Sequence, residues 1–281
     1  MLSPRLTASN ESALVALGGL KDATRLFSLS TSRLSTGLRV QSPSDDPGSF
    51  AFANRLQARQ RSYDRLLIDN QASRSLVQTA NSGIETILDH LQTIRTLAVS
   101  SSSGASTTAD RNANQATLDS LRDEILSIAQ TTEFNSKILL GGSYASGQST
   151  LTFQVGADSG NTITLNIRTL TSAALGIDSI SVSTQASASG AITGIDSAIN
   201  IVTSESATTG SADERLEIGA DFLDSVNTAY KSAINGALDA DLAEETVAFA
   251  KASVLRQTSS AALAQANLYP QNVLAAILPG K

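Results

Sequence analysis

Residues 77–98 read VQTANSGIETILDHLQTIRTLA, and this stretch decides the fold. Its apolar residues follow one another at steps of three or four positions, which is the spacing of one face of an α-helix. They are Val77, Ala80, Ile84, Ile87, Leu91, Ile94 and Ala98. We therefore expect a long helix from about residue 50 to about residue 100, whose second half buries this seam.

A second helix is predicted at about 110–130, because Leu118, Leu121, Ile125 and Ile128 share one helical face. The polar stretch 100–108, which contains Gly104, separates the two helices. A short polar connection of this kind is typical of an antiparallel helical hairpin.

At 151–155 and at 163–167 every second residue is apolar, which is the spacing of a β-strand rather than of a helix. Turn-forming residues occupy 156–161, so a β-hairpin is predicted at about 149–168. Residues 169–194 are rich in Ser, Thr, Ala and Gly, and predict a short surface excursion. Helix resumes near residue 195 and continues to about 237, with a break expected at 208–211.

Both ends of the chain carry apolar residues seven positions apart, which is a coiled-coil pattern. The members that we expect to mediate self-assembly are Leu20, Phe27, Leu34 and Leu38 in the first arm, and Val247, Val254, Ala261 and Leu268 in the last. Gly37 offers a stop for the first arm, and Tyr269–Pro270 for the last. Such seams need partners, which they could find in each other, in the core or in neighbouring copies.

These patterns together define a mainly α fold, a long antiparallel helical bundle or coiled coil with one β-hairpin and with its N- and C-termini paired. The composition agrees, since 41% of the 281 residues are hydrophobic, only 4% are aromatic and Trp is absent. Thin, closely packed helices need few bulky aromatic side chains.

From the composition we do not expect an enzyme, a bound cofactor or a metal site. Cys is absent, which excludes disulfides and thiolate sites, and the only histidine, His90, lies beside the helical seam. The acidic pairs Asp45–Asp46 and Asp123–Glu124 are interpreted as turn caps and a solvated helix face, because no nucleophile motif joins them.

Charge and hydropathy exclude two further classes of partner. The net charge is −6 and the basic N-terminal section shows no aromatic interleaving, so nucleic-acid binding is not expected. No apolar run reaches the length of a membrane span, so membrane insertion is not expected either. The N-terminus shows no cleavable signal, which by itself indicates a cytoplasmic protein, although export without a cleaved signal leaves the same trace.

Five strings, in the right order, resemble the bacterial flagellins. They lie at 33–55, at 91–99 with 118–125, at 132–142, at 153–167 and at 262–274. The string Ser44-Asp45-Asp46-Pro47 also resembles the related hook–filament junction protein, where many flagellins differ.

The resemblance implies a structural filament subunit that serves swimming motility, with an inner coiled-coil domain at 1–40 and 242–281 and a helical domain at 41–241. Because only residues 169–194 are left for outer insertions, it implies a minimal flagellin with two domains. The alternatives are the junction protein and a flagellin-like surface adhesin.

The resemblance also implies partners and a location. These are further copies of the chain, the flagellar export apparatus, an export chaperone, and the cap and junction proteins, with secretion into an extracellular filament without a cleaved signal peptide. The patch that an animal innate immune receptor contacts in some flagellins maps to Gln92, Arg95, Leu97 and Glu124. Thr93 and Thr96 replace a charged Arg and Glu of that patch, so receptor binding is expected to be weak or absent.

O-glycosylation of surface hydroxyls is common in the family. The hydroxyl-rich loop at 100–108 therefore offers candidate sites, or else is a plain solvated linker. The candidates are Ser101, Ser103, Ser106 and Thr107.

Overall fold

The computed structural model describes residues 11–145 and 148–277. For residues 269–277 it describes the backbone alone. Helices dominate, as the sequence predicts. The elements in chain order are α1 (Glu11–Thr36), α2 (Pro47–Ser102), α3 (Thr108–Thr131), β1 (Glu133–Phe134), β2 (Lys137–Ile138), β3 (Leu151–Gln154), β4 (Thr162–Leu165), α4 (Gln185–Leu238) and α5 (Leu242–Ile277).

The chain forms two compact units. Unit 1 contains the described residues up to Ala58 together with those from Tyr230 onward, and unit 2 is the continuous segment Arg59–Ala229. Unit 1 therefore joins the two ends of the chain, which confirms the predicted pairing of the termini. The finer domain boundaries at 40/41 and 241/242 stay predictions.

Helix ends in unit 1 are set by local chemistry. Gly37 has a φ of 72°, a left-handed conformation that glycine adopts without strain, and α1 ends just before it. Asp46 accepts hydrogen bonds from the amides of Gly48 and Ser49, both at 3.1 Å, and Pro47 opens α2. A proline at the first helical position costs nothing, because that amide has no partner within the helix.

The core of unit 2 is built from large aliphatic side chains that are fully buried. The seam quoted above supplies Ile84, Ile87, Leu91 and Ile94, and α3 supplies Leu118 and Ile125, as predicted. The segment after the hairpin adds the further fully buried side chains Ile167, Leu170 and Ile177. One contiguous cluster contains all of these residues.

The predicted β-hairpin is confirmed, with β3 and β4 antiparallel and Leu151 opposite Leu165. Leu151, Phe153, Ile163 and Leu165 are buried, while the intervening residues are exposed. The sequence analysis missed a second, smaller hairpin, in which β1 pairs with β2. Its turn residues Asn135 and Ser136 both have positive φ, which explains why a two-residue turn fits there.

Three expectations about the chain path are wrong. Residues 169–194 are not a surface excursion, because Leu170, Leu175, Ile177 and Val182 are buried and α4 already begins at Gln185. The segment lacks a regular period, so its buried apolar residues gave no signal.

The expected break at 208–211 does not occur, and α4 is continuous. The hydroxyl of Thr208 donates to a carbonyl of its own helix, and Gly210 is exposed, so nothing there interrupts the helix. The last helix also continues through Pro270 to Ile277 rather than ending at the proline.

Hydroxyl side chains on the long helices bond to their own backbone. On α2, for example, Ser73, Ser75, Thr79 and Thr86 each donate to the carbonyl four residues earlier. This pattern satisfies the hydroxyls without any neighbouring element. In the described part of the chain, no helix is both long enough and apolar enough to cross a membrane.

Candidate functional site

The pair formed by α1 and α5 is the most distinctive surface of unit 1. The side chains that the two helices bury against each other are small or polar, and include Ala23, Ser30 and Ala252. A Cβ placed on Gly19 would lie 3.6 Å from the hydroxyl oxygen of Ser259, which shows how closely the helices approach. Small residues at a helix contact permit this approach, but they bury little apolar area.

Two aromatic rings and a guanidinium join the helices near the middle of α1. The rings of Phe27 and Phe249 have centroids 4.8 Å apart, at an interplanar angle of 34°. The guanidinium carbon of Arg256 lies 4.0 Å from the centroid of Phe27, within the range of a cation–π contact. Phe27 is therefore held from both sides by α5.

An ion pair joins the C-terminal part of α1 to the first turn of α5. Arg33 Nη1 lies 3.5 Å from Glu245 Oε2, and both side chains are largely buried. Glu245 lies in the acidic first turn of α5, a favourable position for a carboxylate in the field of a helix N-terminus. Just beyond, Leu38 forms an isolated antiparallel bridge with Asp239, which fixes the two chain ends together.

The opposite faces of both helices are apolar and exposed. Val247 is 69% exposed and Val254 is 58% exposed on α5, and Val15 is 72% exposed on α1. Residues seven apart on a helix share one face, so Val247, Val254, Ala261 and Leu268 form a line, which we call the outer line of α5. All four side chains are exposed.

The structure separates the eight predicted assembly residues into two groups. Leu20, Phe27, Leu34 and Leu38 are half-buried, with Phe27 directly on α5, whereas the outer line points away from α1. The residues of α5 that face α1 escaped the sequence analysis. They are Glu245, Phe249, Ala252, Arg256 and Ser259. Their spacing is that of a coiled coil, but a search for apolar residues seven apart does not find it, because two of the five are charged and one is a serine.

The predicted receptor patch lies in unit 2. Gln92, Arg95 and Glu124 are exposed and Leu97 is half-buried. Arg95 is not free, because its Nε donates to Asp196 Oδ1 at 2.6 Å. This hydrogen bond from Arg95 holds the pKa of Asp196 below its usual range.

The hydroxyl loop offers fewer modification sites than predicted. Ser101 is fully buried and its hydroxyl accepts a hydrogen bond from Asn114 Nδ2 at 2.9 Å, so the expectation for this residue is wrong. Thr107 caps α3 and shares a reciprocal capping box with Asp110. Ser106 donates to the Ser100 carbonyl, and Ser103 and Thr107 are the exposed members of the four.

The acidic pair Asp45–Asp46 caps the turn that precedes α2. The carboxylate of Asp45 accepts from the amides of Ser42 and Gln41, and these hydrogen bonds hold its pKa below the usual range. The pKa of Asp46 is lowered in the same way by hydrogen bonds from Ser49. Within residues 11–145 and 148–277, no three His, Cys, Asp or Glu residues gather in a way that could hold a metal ion.

Taken together, the fold and its exposed terminal faces define a class of protein, a helical subunit built to associate with further subunits along its paired termini. Residues 8–145 match the family described as the bacterial flagellin N-terminal helical region, and residues 192–277 match the corresponding C-terminal helical region. A flagellin of Halalkalibacterium halodurans is 32% identical over 86% of this chain and 88% of the relative. The chain belongs to the bacterial flagellin family.

One further relative agrees with this assignment, and one solved structure shares the fold. A flagellar filament core protein of Brachyspira hyodysenteriae is 31% identical over 95% of this chain and 97% of its own length. The solved structure of a Vibrio parahaemolyticus protein, assigned to the flagellar hook-associated proteins, is 15% identical. It covers 69% of this chain and 100% of its own, with a TM-score of 0.58, and shows the shared fold alone.

Proposed function

We propose that this chain is the structural subunit of a bacterial flagellar filament, and that its copies polymerise through the outward faces of α1 and α5. The observation that carries the proposal is the outer line of α5, whose members are all exposed on the side away from α1. An apolar line at a coiled-coil spacing is suited to a further helix.

The energetics favour a repeated contact. Full burial of one valine or leucine side chain stabilises an association by roughly 1.5–3 kcal/mol. Val247, Val254 and Leu268 stay largely exposed in the single chain, so most of this free energy is available only between copies. A contact between two different faces repeats without closing and produces a helical polymer.

The family supports the same function. Its members are structural proteins, and the Brachyspira relative is a filament core protein by name. The inner coiled-coil domain would comprise residues 1–40 and 242–281, and residues 41–241 would form the helical domain that carries the β-hairpin. Export to the cell exterior without a cleaved signal peptide, by the flagellar export apparatus with a chaperone, and contact with cap and junction proteins belong to this proposal.

The outer line can be tested by one substitution with a matched control. Val254→Asp places a charge in the line and should prevent filament elongation, while the helical circular dichroism signal of the monomer stays unchanged. Val254→Ile keeps the site apolar and should form filaments of normal length under electron microscopy. Normal filaments from Val254→Asp would refute the role of the outer line.

The junction protein is the second candidate, favoured by the string Ser44-Asp45-Asp46-Pro47. Labelled protein imaged in the native flagellum separates the two functions. A signal along the whole filament supports the filament subunit, whereas a few copies at the filament base support the junction protein. A surface adhesin would show binding to a host or matrix ligand without polymerisation.

Weak or absent recognition by the innate immune receptor is also part of the proposal. The ion pair of Arg95 with Asp196 supports it, since the guanidinium must leave a carboxylate before it contacts a receptor. A cell reporter response as strong as that to an enteric flagellin would contradict it. For O-glycosylation, Ser103 is the leading site among the four candidates, because it is exposed and, unlike the equally exposed Thr107, is not part of the capping box of α3.

A further inference from the structure

Side-chain contacts join α2 to α4 at four levels along unit 2. The first and last of these contacts on α2, at Asp64 and Arg95, are 31 residues apart. Their partners on α4, Asn227 and Asp196, are also 31 residues apart, in the opposite chain direction. The contacts are Asp64 with Asn227, Arg74 with Asp213 and Glu217, Asn81 with Thr209, and Arg95 with Asp196. They describe one antiparallel register over this whole length.

The four levels differ in burial. Arg95 and Asp196 are both about half exposed, whereas Asn227 and Thr209 are 1% and 0% exposed. Asn227 Nδ2 donates to Asp64 Oδ1 at 2.7 Å, and the Thr209 hydroxyl donates to Asn81 Oδ1. At each of these two levels the residue on α4 is buried and its partner on α2 is half-buried, and we call the pairs Asp64–Asn227 and Asn81–Thr209 the keyed contacts.

The apolar part of the seam discriminates little between registers. On α4 it consists of alanines, whose small side chains fit against many partners, and of three larger residues at separations of seven or fourteen, which a shift of seven residues brings to equivalent places. The alanines are Ala188, Ala191, Ala198 and Ala212, and the larger residues are Ile195, Val202 and Leu216. The ion pairs discriminate little too, because acidic residues at 213, 217 and 221 could serve Arg74 in turn. A shift of α4 by seven residues keeps the same helical face on α2.

The keyed contacts do not survive such a shift. Asn81 would then oppose Val202 or Leu216, both of which are buried apolar side chains. Asp64 would oppose Ala220 or Ile234 instead of Asn227. In a shifted register the buried Nδ2 of Asn227 would lose its acceptor Asp64, and the half-buried Asn81 would face an apolar side chain. A buried amide without a partner is unfavourable, so the keyed contacts disfavour the shifted registers.

We propose that the keyed contacts select the register of α4 on α2, while the aliphatic core supplies the stability of unit 2. The inference concerns the body of the subunit and is independent of the polymerisation surface. A single buried polar residue is known to fix the register of a coiled coil at some cost in stability.

The absence of cysteine from the sequence makes the test direct. Spin labels on cysteines introduced at the exposed positions Glu85 and Ser204 report the distance between α2 and α4 by pulsed electron paramagnetic resonance. The otherwise unchanged full chain should give one distance. The variant Asn81→Leu with Thr209→Val should keep its thermal midpoint and show a second population, displaced by about 10 Å along the helix, since seven residues rise that far.

Two control variants separate register from general disturbance. Asn81→Thr with Thr209→Asn exchanges the keyed partners and should restore a single distance. Thr79→Val with Thr208→Val removes hydroxyls that bond only to their own helices, and should also leave a single distance.

Either of two outcomes overturns the proposal. A single, unchanged distance in the apolar variant would show that the register does not depend on the keyed contact. Loss of helical structure in that variant would show that the contact stabilises the fold rather than selecting among registers. In both cases Asp64→Leu with Asn227→Leu, measured in the same way, would decide whether the second keyed contact behaves alike.

Discussion

The two compact units bury apolar surface in opposite ways. In unit 2 the largest fully buried side chains are Ile and Leu, from Ile84 through Ile195. Among the described side chains of α1 and α5, the only buried apolar residues are the alanines Ala23 and Ala252. The terminal helices are therefore paired through small, aromatic and charged groups, and their larger aliphatic residues are half-buried or exposed.

This difference separates folding from assembly within one chain. Unit 2 can stabilise itself, because its apolar side chains already have partners. The terminal pair cannot obtain comparable free energy from its own contacts, since the burial of an alanine contributes far less than that of a leucine or isoleucine. It has most to gain from neighbouring copies.

The largest effect should follow from removing residues 242–281. Unit 2 contains none of these residues, so the shortened chain should remain a soluble monomer with the thermal unfolding transition of unit 2 intact. It should fail to elongate filaments altogether, as judged by electron microscopy and by sedimentation. Filaments of normal length would contradict the claim that assembly depends on the terminal helices.

A substitution in the core of unit 2 should instead lower the stability of the monomer. Leu91→Ala removes a fully buried side chain and should lower the free energy of unfolding by about 2–5 kcal/mol in chemical denaturation. Val254→Ala, at an exposed site in the outer line, should change monomer stability by less than about 0.5 kcal/mol. Equal losses at the two sites would mean that the outer line is already buried within the monomer.

A smaller effect should arise at the aromatic contact of the terminal pair. Phe27→Leu keeps an apolar side chain but loses the ring contact and the cation–π contact, at a cost of about 1–2 kcal/mol. Hydrogen exchange should accelerate in α1 and α5 and stay unchanged in α3. Phe52→Leu, at an exposed phenylalanine, serves as the matched control and should leave exchange in α1 as it is.

The smallest effect should be a pH dependence within unit 2. Glu205 is 7% exposed, and its burial raises the pKa of its carboxyl group above the usual value, against the opposing hydrogen bond from the Arg168 amide. A raised pKa in the folded state means that stability falls as the pH rises from the ordinary glutamate pKa through the folded-state value. Glu205→Gln keeps an oxygen for that amide and removes the charge.

The variant should therefore gain stability relative to the parent at neutral pH, and the gain should vanish below the ordinary glutamate pKa. The difference between the two unfolding free energies, measured from pH 4 to pH 7, isolates Glu205 from the other carboxylates. A difference that stays constant over this range would show that Glu205 has the same pKa in the folded and unfolded states.

The sequence predicts those parts of the molecule in which large apolar residues recur at the spacing of a helix or a strand. The seam from Val77 to Ala98 and the alternation around Phe153 and Ile163 were sufficient to place α2 and the hairpin correctly. Each carries large apolar residues at one regular spacing, and burial follows directly from that spacing.

The remainder depends on contacts that no local pattern encodes. Ser101 is a polar residue in a polar stretch at the end of α2, yet Asn114 on the next helix gives it a buried partner. The face of α5 toward α1 contains Glu245 and Arg256, which acquire partners only through Arg33 and Phe27 of the other chain end. Within 169–184, Leu170, Leu175, Ile177 and Val182 are buried at positions that follow no repeating pattern.

The hydroxyl-covered helices affect the electrostatics of a long polymer. Each copy adds a net charge of −6, so a filament accumulates negative charge in proportion to its length. Only 16% of the residues are charged, and many surface positions of α2 carry serine or threonine satisfied by their own carbonyls. Such a surface stays hydrated at a modest linear charge density, so the mutual repulsion of neighbouring copies is small and is screened within about 10 Å at 0.1 M salt.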